Sequence, residues 1–135
     1  MIVNSFLAAD LRVQAAPATA GTFENLFVAD PDGPPMDVLA IVVCNTSASA
    51  ITFQLCHDLD AAGTPSYGKD NALYWDKSVP ANDTFVAWQS NHPGGGLSVG
   101  KTGAIGISAS TEDTLTFTAY LMTSATQERS VEGER

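Results

Sequence analysis

Between Ile51 and Leu55, and again between Leu115 and Leu121, apolar and polar side chains alternate one for one. A two-residue period sends alternate side chains to opposite faces, as a β-strand does and an α-helix does not. Ile51, Phe53 and Leu55 form one such set, and Leu115, Phe117, Ala119 and Leu121 another; both are assigned to the core. Burying each large member is worth about 1.5–3 kcal/mol. No window shows sustained i, i+3, i+4, i+7 apolar spacing between helix caps. Short β-branched and aromatic runs recur instead, punctuated by Gly, Pro, Asn, Asp and Ser. Strands are expected near Ile2–Leu7, Glu24–Val28, Val38–Asn45, Ile51–His57, Ala72–Ser78, Thr84–Trp88, Gly103–Ala109 and Leu115–Met122. The fold expected is all-β: an antiparallel β-sandwich or jelly roll of about eight strands.

Three turns are read as hairpins: Asn45–Ala50, Pro80–Asp83 and Ser110–Thr114. The Pro-Ala-Asn-Asp stretch has turn chemistry, since Pro presets φ and Asn or Asp bonds its own backbone. Val38–Cys44 is apolar nearly throughout, the pattern of a strand covered on both faces. Its second cover is expected to be a loop or another subunit. If Cys44 pairs near Ile51 or Thr52, Cys56 lies roughly 13–16 Å away at about 3.3 Å per residue. A disulfide needs Cα atoms within about 7 Å, so two free thiols are expected, which suits a reducing compartment.

The division expected is an N-terminal arm and first strand over 1–24, a sandwich domain over 25–122 and a mobile, solvated tail over 123–135. Gln14–Thr22, uncharged and rich in Ala, Pro, Thr and Gly, reads as an extended arm. The tail loses all hydrophobic patterning. Met1–Ala9 is apolar but has no basic start and meets Asp10 and Arg12, so it is not read as a secretory signal.

The chain carries six basic and fifteen acidic residues, a net charge of −9. Binding nucleic acid by counterion release needs clustered Lys and Arg, so no nucleic-acid partner is expected. No apolar run is long enough to span a bilayer as a helix, and no membrane partner is expected.

The search for chemistry returns little. Gly96-Leu97-Ser98-Val99-Gly100 has the letters of a Gly-x-Ser-x-Gly elbow, and Gly95 with Gly100-Lys101-Thr102 those of a phosphate-binding glycine loop. Each motif needs a helix directly after it and none is expected here, so neither is read as a site. His57 continues the inward face after Leu55, and His92 sits in a loop with Gly94–Gly96; neither is read as a base. Asp58-Leu59-Asp60-Ala61-Ala62-Gly63 opens like a calcium loop, but Ala62 and Lys69 stand where oxygen ligands are required. A looser site from Asp58, Asp60, Asp70 and Asp76 stays open beside a solvated connector. No enzyme activity, cofactor or metal is expected. Tyr67, Tyr74, Trp75 and Trp88 are candidate aromatic contacts. Adjacent Tyr74 and Trp75 must face opposite ways on a strand, leaving one for the core and one for the surface or an interface.

Taken together, Ile41–Ser47 with Ile51–Leu55, Ala72–Asp76 with Val79–Thr84, and the closing Gly103–Leu121 pair resemble hairpins of small virion proteins of tailed phages. The resemblance covers roughly Asp37–Met122. It implies a β-sandwich or jelly roll serving as a capsid decoration (cement) protein, a head fibre or a tail component, with no catalytic residues. The expectation is a decoration protein located in the virion and assembled in the host cytoplasm. It would be a homo-oligomer, a trimer, bound to the major capsid protein or another virion protein. Ile2, Phe6, Leu7, Val42, Cys44, Tyr74 and Trp75 are the expected interface residues. The arm Met1–Thr22 would make the contact, and its deletion would leave the fold intact. The alternatives are a tail, baseplate or fibre component, or a carbohydrate-binding module using Trp75, Trp88 and Gly94–Gly96.

Overall fold

The computed structural model describes residues 11–59, 64–90 and 97–123. The described chain is all-β. Nine strands run in order: β1 (Leu11–Ala15), β2 (Glu24–Val28), β3 (Met36–Asn45), β4 (Ile51–Asp58), β5 (Ala72–Val79), β6 (Thr84–Gln89), β7 (Leu97–Gly100), β8 (Ala104–Ala109) and β9 (Leu115–Thr123). A single 3-10 turn at Lys69–Asn71 precedes β5. The seven expected strands from Glu24 onward all appear. The expected Ile2–Leu7 strand lies outside the described residues, as does the solvated tail beyond Thr123.

The strands form two antiparallel sheets, β1-β9-β3-β6 with β7 also on β3, and β2-β8-β4-β5. The larger is called here the five-stranded sheet and the other the four-stranded sheet. The antiparallel pairs nest: β4 with β5, β3 with β6 and β7, β2 with β8, β1 with β9. They are the successive rungs of one long ribbon. Further pairing of β3 with β9 and of β4 with β8 rolls that ribbon into two layers. This is jelly-roll topology.

The rolling corrects the hairpin readings. β3 belongs to one sheet and β4 to the other; the same holds for β5 and β6, and for β8 and β9. Each turn is an arch between layers. Strand alternation and polar turn residues look alike in a hairpin and an arch, because period and turn chemistry do not name the hydrogen-bonding partner. Cys44 pairs with Thr84 and Thr116, not with the start of β4. It faces out from the five-stranded sheet, while Cys56 lies on the outer side of the four-stranded one. Both thiols are free.

Between the layers sit the expected sets: Ile51, Phe53 and Leu55 from β4, and Leu115, Phe117, Ala119 and Leu121 from β9, all buried. Phe53 is the hub, its ring centroid 5.5 Å from Phe117, 5.7 Å from Tyr74 and 6.1 Å from Phe85. Offset and edge-on ring pairs at these distances add about 0.5–1.5 kcal/mol beyond area burial.

The arm reading is corrected at its C-terminal half. Leu11–Ala15 pairs with Leu121–Phe117 along its whole length. The following segment is pinned to the β8–β9 arch, where the Gly21 amide donates to the Ala109 carbonyl (2.9 Å) and the Asp113 amide to the Pro17 carbonyl (2.9 Å). Deleting Met1–Thr22 would therefore remove a strand of the five-stranded sheet along with the rest of the expected arm.

Candidate functional site

Two outer surfaces result, and they differ in kind. On the five-stranded sheet the register places three rows side by side: Arg12, Tyr120, Ala40 and Gln89; Gln14, Thr118, Val42 and Val86; Thr116, Cys44 and Thr84. Arg12 is the only charged residue in these rows, although the chain carries −9. Val86 is 49% and Tyr120 36% exposed, while Val42 and Cys44 are half-buried by their neighbours. Gln14 Nε2 donates to Thr118 Oγ1 (2.9 Å), tying the edge strand to its neighbour across this face.

The outer side of the four-stranded sheet is built up instead. Tyr67 lies across β8 at Gly106, where an added Cβ would come within 2.5 Å of the ring. Only glycine admits the ring so close. The Tyr67 hydroxyl donates to Asn25 Oδ1 at 2.6 Å, and burial pushes the phenol pKa up to about 12. Phe23 packs on Tyr67 and on Trp75, with centroids 5.6 and 6.2 Å apart. Lys69 Nζ sits 5.7 Å from the Trp75 ring. Cys56 lies beneath, its thiol donating to the Gly68 carbonyl at 3.4 Å, with its pKa raised chiefly by burial.

Beside this aromatic cover is a groove lined by Gly21, Thr52, Gln54, Asp76, Ser108 and Ser110, with Phe53 and Ala109 at its base. A β-bulge shapes one wall. Between the pairs Phe53↔Lys77 and Leu55↔Tyr74, β4 has one residue and β5 has two, Trp75 and Asp76. Tyr74 points into the core, where its hydroxyl donates to the Ala87 carbonyl (3.1 Å). Trp75 and Asp76 both turn outward, opposite Gln54, whose Nε2 donates to Asp76 Oδ1 at 3.0 Å.

Of the expected interface residues, Val42 and Cys44 share the flat face, Trp75 lies on the opposite outer surface, and Tyr74 is a core-facing residue. Ile2, Phe6 and Leu7 lie outside the described residues. The proposed sugar platform is not one surface: Trp88 packs against the core from β6, in the other sheet from Trp75, and Gly94–Gly96 are outside the described residues. His57 faces inward opposite Ile105. Burial lowers its pKa, opposed by a hydrogen bond to the Ser98 backbone and by the Asp58 charge. His92 and Asp60 lie outside the described residues. Among the described residues no group of three or more His, Cys, Asp or Glu is placed to hold a metal, and no helix is long and apolar enough to cross a membrane. Sequence reasoning missed the groove, since it depends on a bulge and on strand neighbours that the chain order does not reveal.

No family model and no curated protein sequence matches the chain. Among solved structures, the chain is similar to one in the structure of infectious bursal disease virus, Gx strain, at 15% identity and a TM-score of 0.33. The match covers 84% of this chain and 35% of the viral one, so the protein spans about a third of that chain's length. A likeness at that score carries no argument about function.

Proposed function

We propose that the protein is a non-enzymatic structural component of a virus particle, a decoration protein that docks onto the assembled head shell. The observation that carries this reading is the flat, almost uncharged outer face of the five-stranded sheet, presented by a strongly acidic chain. Charge depletion at the centre of a patch marks a protein contact better than bulk hydrophobicity does. Val42, Val86, Ala40 and Cys44 supply the apolar part. Thr84, Thr116 and Thr118 supply hydroxyls that need no charged partner. The resemblance of the strand and turn segments to small phage virion proteins points the same way. Jelly rolls occur in viral capsid domains and in lectins, but a fold by itself does not select a function.

The mechanism is mass action. A protein that binds the assembled shell and not its separated subunits stabilises the shell. Repetition over a symmetric lattice, with the protein arranged as a trimer, turns a weak contact into strong total binding. Ile2, Phe6 and Leu7 precede β1 and join this contact on sequence grounds alone. The test is electron microscopy of purified particles carrying a labelled copy of the protein. Label on the head shell is expected. Label on the tail would replace this reading with a tail component, and unlabelled particles would end it.

A further inference from the structure

We propose that the groove on the outer side of the four-stranded sheet binds a neutral saccharide. The proposal is independent of where the protein sits in a particle.

Three observations converge on the groove. The first is Ser108, which is only 2% exposed yet lines the groove. Its hydroxyl has no hydrogen-bond partner among the described residues. A hydroxyl that lines a groove without a protein partner is free to donate to and accept from a ligand atom. The second is Asp76, which has φ 54 within a β-strand. The other non-glycine residues with positive φ, Asn82 and Asp113, sit in turns. A left-handed residue in a bulge is most easily glycine, and an L-residue there is disfavoured. Such strain gathers at binding sites, where the surrounding structure holds it. What the strain accomplishes here is visible: it turns the Asp76 carboxylate to the same side as Trp75 and against Gln54. The third is the chemistry of the lining. Asp76 Oδ1 is taken by Gln54, which leaves the second carboxylate oxygen and the Gln54 amide oxygen without partners among the described residues.

The lining identifies the ligand class. Thr52, Ser108, Ser110 and Gln54 are neutral groups that both donate and accept. One carboxylate adds a strong acceptor for hydroxyl donors. No cation lines the groove, so phosphate, sulfate and acidic sugars find no counter-charge. One carboxylate is also far short of the six to eight oxygens that calcium takes. Neighbouring hydroxyls on a pyranose ring are donors and acceptors at the spacing of such side chains.

The experiment is a two-dimensional amide NMR titration of the full chain with glucose, galactose, mannose and N-acetylglucosamine, followed by neutral oligosaccharides of each. At least one sugar is expected to shift the amides of Thr52, Gln54, Asp76, Ser108 and Ser110, and to leave those of β3 and β9 unmoved. Asp76→Gly removes the carboxylate and relieves the backbone. It is expected to fold at least as stably as the natural chain while weakening sugar binding by at least about tenfold. Ser108→Ala is expected to weaken binding without unfolding. The proposal is overturned if no sugar perturbs these amides at about 10 mM, where a site of about 1 mM affinity is roughly nine-tenths filled. It is equally overturned if Asp76→Gly and Ser108→Ala both bind as tightly as the natural protein.

Discussion

Asn45 is the residue on which the β3–β4 arch depends. It is 1% exposed, and its Nδ2 faces three carbonyls, those of Ser49 (2.8 Å), Val79 (3.0 Å) and Pro80 (3.1 Å). Its Oδ1 accepts from the Ser47 amide (2.9 Å) and hydroxyl (2.8 Å). One amide thus fastens the β3–β4 arch to the β5–β6 arch. Asn45→Ala leaves buried carbonyls without a donor and is expected to cost about 3 kcal/mol, read as a lower urea midpoint at unchanged slope. Asn45→Asp is expected to cost more, because it points a carboxylate at three carbonyl oxygens. His57 carries a second residue-scale expectation. Its Nε2 is buried without a partner among the described residues, and its pKa in the folded state is lowered from 6.5 by burial. Just below that value the unfolded chain binds more protons than the folded one, so stability rises with pH across this window. It is complete above pH 6.5 and is lost as pH falls through the folded-state pKa. The thermal midpoint is expected to drop on acidification from neutrality, and His57→Gln to flatten that drop.

At the scale of elements, what the chain made legible was its alternation. The inward sets of β4 and β9, and the inward turn of His57, follow from a period of two alone. Pairing did not follow, because three arches carried the residues of three hairpins. β1 was legible in principle: Leu11, Val13 and Ala15 alternate with Arg12 and Gln14. The signal is only five residues long and runs straight into the Ala-Pro-Thr stretch that reads as an arm. β7 is shorter still, four residues with Leu97 and Val99 inward. The groove needed the bulge at Trp75–Asp76, an extra residue that no periodicity announces. The status of β1 gives the element-scale prediction. Chains lacking residues 1–10 and residues 1–22 should be compared by thermal unfolding and by light scattering. The step from the first to the second removes β1 and buried Pro17, and strips the cover from one edge of β9. Losing the burial of Val13, Ala15 and Pro17 is expected to cost about 3 kcal/mol or more. The bared β9 edge is expected to promote association through strand pairing. A second truncation as stable and monodisperse as the first would show that β1 is dispensable.

At the scale of the molecule, the rolled ribbon separates two surfaces by the full thickness of the sandwich. One is flat and nearly uncharged; the other is grooved, aromatic and polar. Because each surface is carried by a different sheet, changes confined to one should leave the other intact, as sites far apart without shared partners generally behave. Val86 makes the sharpest test of the flat face. It is 49% exposed on the edge strand β6, so Val86→Lys should change folding stability by no more than about 0.5 kcal/mol. An ammonium placed among Val42, Thr84 and Thr118 must be dehydrated without a partner whenever another protein covers that face, which removes the advantage of an uncharged patch. Co-sedimentation with shells lacking the protein is expected to show at least about tenfold weaker binding for Val86→Lys, a loss of roughly 1.4 kcal/mol. Asp76→Gly, on the opposite surface, should bind those shells as the natural protein does. If Val86→Lys decorates shells at full affinity, the flat face is not the docking surface. If Asp76→Gly is the variant that falls off, the contact runs through the groove instead.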